Sequence, residues 1–284
     1  MLHVPVMAQE VLENLPKKLD LMMDGTLGHG WHSRLILSNF DNVKIIWVDR
    51  DPKILEIAKQ NLKDYENRVK FVQNSYKNLE KILWETKVDA ILLDLWVNME
   101  HFKDPKRWFS IKYDGPLDMR FDPSNKITAE WILKNYTPEQ LEKILSKWWD
   151  FKWKLLNEIV KAIVSNRWKL NSTFALKDLL KRIWLSEKKI AVVFQVLRIE
   201  TNKELEQLEV FLQKFQDYLT PWWRCLIITY HSIEDRLVKN RFKELDWQWF
   251  KNLTKKVIFP TWAEIQRNKA SRSAKLRLIE KLDS

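Results

Sequence analysis

The feature of this sequence that most constrains its fold is an alternation of short apolar runs with helical segments between residues 19 and 95. The runs are nearly continuous in apolar residues, which is the pattern of strands buried on both faces of a sheet. The segments between them have helical spacing and the length of the crossovers that join parallel strands. This alternation predicts a doubly wound, parallel α/β sheet with strands at residues 19–24, 43–49, 68–74 and 88–95.

The pattern changes after residue 102. Residues 103–192 contain no convincing strand, but they contain several helical segments that begin at Ser, Thr or Pro, the residues favoured at helix starts. We therefore predict a discontinuous sheet domain, residues 1–102 and 193–284, that is interrupted by a helical insertion at residues 103–192. Residues 188–219 are predicted to form one long helix that leads back to the sheet. Three further strands are predicted at residues 224–231, 256–259 and 274–280.

Composition limits the class of protein. The net charge is +11, which favours a polyanionic partner, nucleic acid first, although a Lys-rich proteome would give the same balance. The single cysteine, Cys225, excludes both a disulfide framework and a Cys-based zinc site. No apolar run approaches the roughly 18 residues of a membrane helix, and the first residues lack the pattern of a signal peptide. We therefore expect a cytoplasmic protein.

Glycine is scarce in this sequence and tryptophan is abundant. There are 4 glycines and 16 tryptophans, whereas average usage of about 7% predicts roughly 20 glycines in a chain of this length. Trp31 lies within a glycine-rich turn, and Trp222 and Trp223 follow a proline at a turn where glycine is natural. We interpret many of these tryptophans as glycines whose UGA codons have been read as tryptophan. The alternative is a Trp-rich protein, and Trp131, on an apolar helical face, fits a genuine tryptophan.

Chemistry-bearing side chains end or follow each of the first four predicted strands. Asp24 precedes the turn GTLGHG, whose backbone N–H groups and following helix start can hold a carboxylate or phosphate. Asp49 ends the second strand and can accept hydrogen bonds from ribose hydroxyls. Tyr76 follows the third strand, where it can pack on an adenine, and Asp94 ends the fourth. Together they predict a nucleotide-type cofactor at the carboxyl edge of the sheet, and the missing Gly-Lys-Ser/Thr ending disfavours a nucleoside triphosphate.

Eight segments of the chain carry a family resemblance: HVPVMAQEVL, DGTLGHGWHSRLIL, WVDRDP, DAILLDLWV, RWFSIKYDGPLDMRFD, FQVLRIETNKEL, YHSIEDRLVK and RNKASRSAKLR. With these segments the chain resembles, nearly end to end, the RsmH (MraW) family of bacterial ribosomal RNA methyltransferases. The strings DGPLDMR, HSIEDR and SRSAKLR are the most specific. The family has glycine where this chain has the following tryptophans: Trp31, Trp47, Trp96, Trp108, Trp222 and Trp223.

The resemblance implies a Rossmann-like S-adenosylmethionine-dependent methyltransferase sheet with an inserted helical domain. It implies methylation of the exocyclic N4 amine of a cytosine in the decoding region of 16S rRNA, with the small ribosomal subunit as partner and without a metal. The implied contacts to S-adenosylmethionine are Gly30, Trp31 through its backbone, His32, Asp49, Tyr76, Asp94 and His101. His101 departs from the family, which has glutamine there. The oligomeric state, monomer or homodimer, stays open.

The transfer itself requires a flipped-out base and acceptors for the hydrogens of its amine. The acceptors expected from the motifs are Asp94, Asn98 and Asp118, with His231 as a proton acceptor or RNA contact. For Asp118 an ion pair with Arg120 or Arg107 is an equal alternative. The basic tail is expected to meet RNA phosphates through Arg267, Lys269, Arg272, Lys275 and Arg277. Two other functions stay open: a methyltransferase of another RNA or of DNA, and a non-catalytic ribosome-binding protein if the tryptophans are literal.

Overall fold

The computed structural model describes residues 5–26, 28–96, 113–148, 152–247 and 249–283. The chain divides into two compact units. The sheet unit comprises Met1–Val97 and Glu206–Ser284, and the helical unit comprises Asn98–Leu205.

The described residues of the sheet unit form seven strands: β1 (Leu21–Asp24), β2 (Lys44–Asp49), β3 (Val69–Gln73), β4 (Val88–Asp94), β5 (Leu219–Thr229), β6 (Phe250–Asn252) and β7 (Lys275–Lys281). Their order in the sheet is β3-β2-β1-β4-β5-β7-β6. The strands β1 to β5 pair in parallel, and β7 pairs antiparallel with both β5 and β6. This arrangement confirms the predicted α/β class with a doubly wound sheet.

Apolar side chains cover both faces of the sheet, as the continuous apolar runs predicted. In β4, for example, Ala90 and Leu92 belong to one buried cluster, whereas Ile91 and Leu93 belong to the cluster on the other face. The helices of this unit that the structure describes are α1 (Ala8–Asn14), α2 (Trp31–Asn39), α3 (Pro52–Asn61), α4 (Leu79–Leu83), α11 (Ser232–Leu245) and α12 (Trp262–Arg267). Within the described ranges, no helix is long and apolar enough to span a bilayer.

The strand order reverses between β1 and β4, which creates the crevice where ligands bind in open α/β sheets. In the register, Asp24 of β1 lies beside Trp47 of β2 on one side and Leu92 of β4 on the other. The last residues of β1 and β4, Asp24 and Asp94, therefore meet at the carboxyl edge of this crevice.

The helical unit contains helices with well-formed N-terminal caps. Thr137 and Gln140 form a reciprocal capping box, and the Ser172 and Ser186 hydroxyls each accept a hydrogen bond from an N–H of the first turn. No strand occurs between residues 113–148 or 152–205. The helices are α5 (Ala129–Asn135), α6 (Pro138–Ser146), α7 (Trp153–Asn166), α8 (Thr173–Arg182) and α9 (Glu187–Asn202), and α10 (Glu204–Lys214) leads from this unit into the sheet unit.

Two local predictions are wrong. Residues 188–219 do not form one helix, because Lys203 adopts left-handed backbone angles (φ 52°, ψ 40°) that end α9 before α10 begins. The expected domain boundary at residue 192 falls inside α9. Residues 256–259 do not form a strand either. Ile258 makes a single isolated bridge to Leu276, and β6, at Phe250–Asn252, provides the outer pairing of β7 instead.

Candidate active site

The turn between β1 and α2 needs its glycines because it packs closely against neighbouring side chains. The N–H of Gly25 donates to the Leu92 carbonyl at 2.9 Å, which ties the start of the turn to β4. Gly30 precedes α2 in a left-handed conformation, with φ 80° and ψ 19°, and a Cβ there would clash with the Trp47 ring. No side chain caps α2, so backbone N–H groups form its first turn at this edge, the arrangement that binds anions at other helix N-termini.

Asp24 is the buried acid beneath this turn, with 2% of its surface exposed. The Ser33 hydroxyl donates to its Oδ2 at 2.6 Å, and the indole N–H of Trp47 lies 3.2 Å from the same oxygen. Burial raises the pKa of Asp24 to about 6, although the bond from Ser33 opposes the shift. The Asp24 side chain thus ties the floor of the turn to α2 and β2 and holds their relative positions.

Asp94 is the acid at the crevice itself. The Tyr230 hydroxyl donates to its Oδ1 at 2.8 Å, and the N–H of Trp96 lies 3.2 Å from the same oxygen. The ring of Trp96 packs on the ring of Tyr230 with a centroid separation of 4.6 Å. Burial raises the pKa of the Asp94 carboxyl, opposed by the nearby His32 and by the bond from Tyr230. Asp94 is therefore a positioned and unusually basic carboxylate at the end of a central strand.

The His32 side chain is buried between the N-terminal segment and Asp94. Its Nε2 lies 2.9 Å from the Val6 carbonyl oxygen, which can only accept, so the Nε2–H group donates a hydrogen bond to that oxygen. Its Nδ1 then faces Asp94 Oδ2 at 3.6 Å. The cofactor contact expected of His32 is not tested by this geometry. The described contacts make His32 a support for Asp94.

Asp49 and Tyr76 complete the edge. Asp49 ends β2, is partly exposed, and accepts a hydrogen bond from the Asp51 N–H at 2.8 Å. Tyr76 follows β3 and packs edge-on against Phe211 at 5.8 Å. Tyr76 also lies against the turn, because a Cβ built on Gly25 would stand 3.1 Å from the Tyr76 Cβ.

This donor set fits a nucleoside cofactor that carries a charged tail. It contains a carboxylate for ribose hydroxyls, an aromatic side chain beside the turn, and backbone N–H groups at the start of α2 for an anion.

Two candidate catalytic residues have other partners in the described structure. His231 caps α11: its Nδ1 accepts from the Glu234 N–H at 3.3 Å, and its Nε2 lies 2.9 Å from Glu234 Oε1. In the helical unit, Asp118 forms a two-pronged ion pair with Arg120, at 2.7 and 2.8 Å. This pairing favours the ion-pair alternative for Asp118. Asn98 and His101 lie outside the described residues.

Sequence reasoning missed three residues with clear supporting roles. Tyr230 and Ser33 hold Asp94 and Asp24, and both lie in segments that carried the family resemblance. Asn202 is the third: its side-chain oxygen accepts from the Phe121 N–H at 2.8 Å, and its amide donates to the Met119 carbonyl at 2.7 Å. Asn202 is buried and therefore clamps the DGPLDMRF segment. The sequence signal for this role was the position of Asn202 within FQVLRIETNKEL, a segment that carried the family resemblance.

The basic tail separates into exposed and paired cations. Arg267, Lys269 and Arg272 are exposed. Arg277 is 5% exposed and its Nε lies 2.6 Å from Asp235, which Lys275 also contacts at 3.2 Å. Burial raises the pKa of Asp235, but the two cations outweigh it and hold this pKa below its usual value. The structure therefore gives Arg277 the role of joining β7 to α11, which argues against the RNA contact expected of it.

Comparisons with known proteins agree with this geometry. A family model described as the MraW methylase family matches residues 1–282. A ribosomal RNA small subunit methyltransferase H from Petrotoga mobilis is 40% identical, and the match covers 97% of this chain and 99% of that protein. The protein of the same name from Kosmotoga olearia is 36% identical, over 99% and 97%. Among solved structures, an rRNA methylase from Streptococcus thermophilus has 12% identity and a TM-score of 0.46, covering 97% of this chain and 94% of that one.

Proposed function

Because the chain belongs to the MraW methylase family, we propose that it transfers the methyl group of S-adenosylmethionine to the N4 amine of one cytosine in the decoding region of 16S rRNA. The observation that carries the proposal is the half-buried, hydrogen-bonded Asp94 at the β1/β4 crevice, next to a glycine turn suited to the cofactor. The names of the curated relatives support small-subunit ribosomal RNA as the substrate class. We place the reaction in the cytoplasm, where small subunits are assembled.

The cofactor is proposed to lie along the carboxyl edge of β1, β2 and β4. Asp49 would accept hydrogen bonds from its ribose, Tyr76 would pack on its adenine, and the N–H groups around Gly30 and Trp31 would hold its carboxylate. When bound, S-adenosylmethionine supplies an electrophilic methyl group on a sulfonium. His32 would act through Asp94, whose carboxylate it faces at 3.6 Å.

Asp94 is proposed as the group that receives the cytosine amine. The amine is a weak nucleophile, because its lone pair is delocalised into the ring. A fixed acceptor aligns the nitrogen with the methyl group and stabilises the positive charge that develops on the nitrogen as the new bond forms. The raised pKa of Asp94 makes its carboxylate a better acceptor for the proton that the amine loses after transfer. Asn98 is proposed as a second acceptor and His101 as a further cofactor contact.

The RNA is proposed to meet the exposed cations Arg267, Lys269 and Arg272, whose charge would neutralise phosphates and set the register of the strand. Lys275 is proposed to contribute less to RNA binding, because it is half-buried and forms an ion pair with Asp235. The helical insertion is proposed to complete the substrate side.

The test measures transfer of labelled methyl from S-adenosylmethionine to unmodified 30S subunits, free 16S rRNA and DNA. The unaltered chain is assayed beside a form that carries glycine substitutions at the family positions: Trp31→Gly, Trp47→Gly, Trp96→Gly, Trp108→Gly, Trp222→Gly and Trp223→Gly. Label on a single cytosine N4 of the 30S subunit, from either form, is the expected result. Asp94→Asn should abolish it. Asp41→Asn should not, because Asp41 is exposed and precedes the opposite, amino-terminal end of β2.

The other outcomes refute the proposal in distinguishable ways. Label on DNA or on another RNA alone would move the substrate. Absence of label from both forms, although each is folded and binds the cofactor by calorimetry, would exclude the 30S cytosine. A folded chain that binds 30S subunits but not the cofactor would be a non-catalytic ribosome-binding protein.

A further inference from the structure

Three tryptophans occupy backbone conformations that L-residues rarely adopt. Among the described residues, positive φ is found at six non-glycine positions, and Trp84, Trp184 and Trp222 are half of them. A side chain with a Cβ is disfavoured there, and glycine is the residue that enters the left-handed region without strain. Local hydrogen bonds define the turns at Trp84 and Trp184, and strand pairing defines the setting of Trp222.

Trp84 occupies the first central position of a type II′ turn. The turn runs from Leu83 to Thr86, and the Thr86 N–H donates to the Leu83 carbonyl at 2.8 Å. Trp84 has φ 53° and ψ −119°, close to the mirror image of the first central position of a type II turn, about +60° and −120°. Glycine is the residue preferred at this position of type II′ turns.

Trp184 occupies the glycine position of a Schellman motif. Helix α8 ends at Arg182, and Trp184 is the second residue after it, with φ 61°. The Trp184 N–H donates to the Lys181 carbonyl at 2.9 Å, and the Leu185 N–H donates to the Leu180 carbonyl at 3.2 Å. These are the two bonds that define the motif, and its left-handed residue is usually glycine.

Trp222 lies in a stretch of β5 where the pairing with β4 is irregular. Leu219 pairs with Val88 and Arg224 pairs with Ala90, so the register shifts between them. Trp222 has φ 68° within this irregular stretch. Glycine is the residue that adopts this left-handed conformation without steric cost.

The indole rings gain little burial in return. Trp84, Trp184 and Trp222 are 77%, 95% and 59% exposed. A tryptophan ring stabilises a fold when it is buried in the core. Among the described residues the exposed tryptophans are instead numerous: Trp84, Trp131, Trp153, Trp168, Trp184, Trp222, Trp247, Trp249 and Trp262.

We propose that Trp84, Trp184 and Trp222 are glycine in the protein that the cell makes, because their UGA codons are decoded there as glycine. Trp84 and Trp184 extend the set of positions implied by the family resemblance, and only their backbone geometry identifies them. Trp131 is not included, because it lies within α5 and its φ is not positive. This inference is independent of the proposed function, and a failure of methyl transfer would leave it intact.

Peptide mass spectrometry of the protein isolated from cells that carry the gene tests the proposal. Trypsin cleaves after Lys and Arg, so the three positions fall in separate peptides: ILWETK, IWLSEK and FQDYLTPWWR. The expected result is glycine at positions 84, 184 and 222. Synthetic peptides with glycine or tryptophan at each position identify the signals, and fragment spectra assign positions 222 and 223 separately. Tryptophan at any of the three positions in the cellular protein, or a UGG codon there, would overturn the proposal.

Discussion

Replacing Trp84 by glycine and by alanine isolates the strain that its Cβ imposes on the II′ turn. At an ordinary position alanine is more stabilising than glycine by about 0.5–1 kcal/mol, because glycine loses more backbone freedom on folding. At φ 53° and ψ −119° the Cβ of alanine retains the strain, which is on the order of 1–3 kcal/mol for such conformations. Both substitutions remove the same exposed indole. The strain exceeds the ordinary advantage of alanine, so we expect Trp84→Gly to be more stable than Trp84→Ala by about 1 kcal/mol, the reverse of the usual order.

Urea unfolding followed by far-ultraviolet circular dichroism measures this difference without relying on tryptophan fluorescence. With slopes of about 1–3 kcal/mol per molar urea, a difference of 1 kcal/mol moves the midpoint by roughly 0.3–1 M. The matched control is Lys239, an exposed residue of α11 in the same unit. There Lys239→Ala should exceed Lys239→Gly by about 1 kcal/mol. If Trp84→Ala unfolds at the same or a higher urea concentration than Trp84→Gly, the reasoning from backbone angles is refuted.

Three further outcomes are expected. Tyr230→Phe removes the hydrogen bond to Asp94. A bond to a charged group is worth about 1.5 kcal/mol, so the single-turnover rate of methyl transfer should fall about tenfold while the cofactor Kd stays near its original value. An unchanged rate would contradict the role of Asp94. The raised pKa of Asp24 means that the folded state binds the proton of this carboxyl more tightly than the unfolded state. The free energy of unfolding should therefore fall by roughly 3 kcal/mol between pH 3.8 and about 6. Asp24→Asn should remove this pH dependence in urea titrations across that range. Arg277→Ala leaves the half-buried Asp235 without its closest cation and should cost about 1–3 kcal/mol of stability. Arg272→Ala should leave stability nearly unchanged and weaken RNA binding with a smaller salt dependence. Equal effects on stability would refute the distinction.

Side-chain order along the chain was sufficient to predict the central sheet. The apolar runs that became β1 to β4 are local patterns, and their continuity reflects burial on both faces of the sheet. The placement of Asp24, Asp49 and Asp94 followed from the same patterns, because the carboxyl ends of parallel strands meet at one edge. The sequence motifs led to the same family that the family model matches.

The partners of single side chains and the backbone angles were harder to predict. His231 is a residue type common in catalysis, but at the start of α11 its Nδ1 accepts from the Glu234 N–H and its Nε2 lies 2.9 Å from Glu234 Oε1. Nothing in the spacing of residues 188–219 indicated that Lys203 would take a left-handed conformation and divide the helix.

The sequence by itself determined the first four strands and the acids that end them, and it showed that tryptophan stands in turns where glycine is expected. Tertiary structure decided which of these groups act on one another. Tyr230 contacts Asp94 across 136 positions of sequence because β4 and β5 are neighbours in the sheet. Arg277 is buried in an ion pair with Asp235 because the fold brings β7 against α11. Periodicity records the environment of a single residue, whereas strand order, pairing and φ angles depend on the whole chain and become visible only when it is folded.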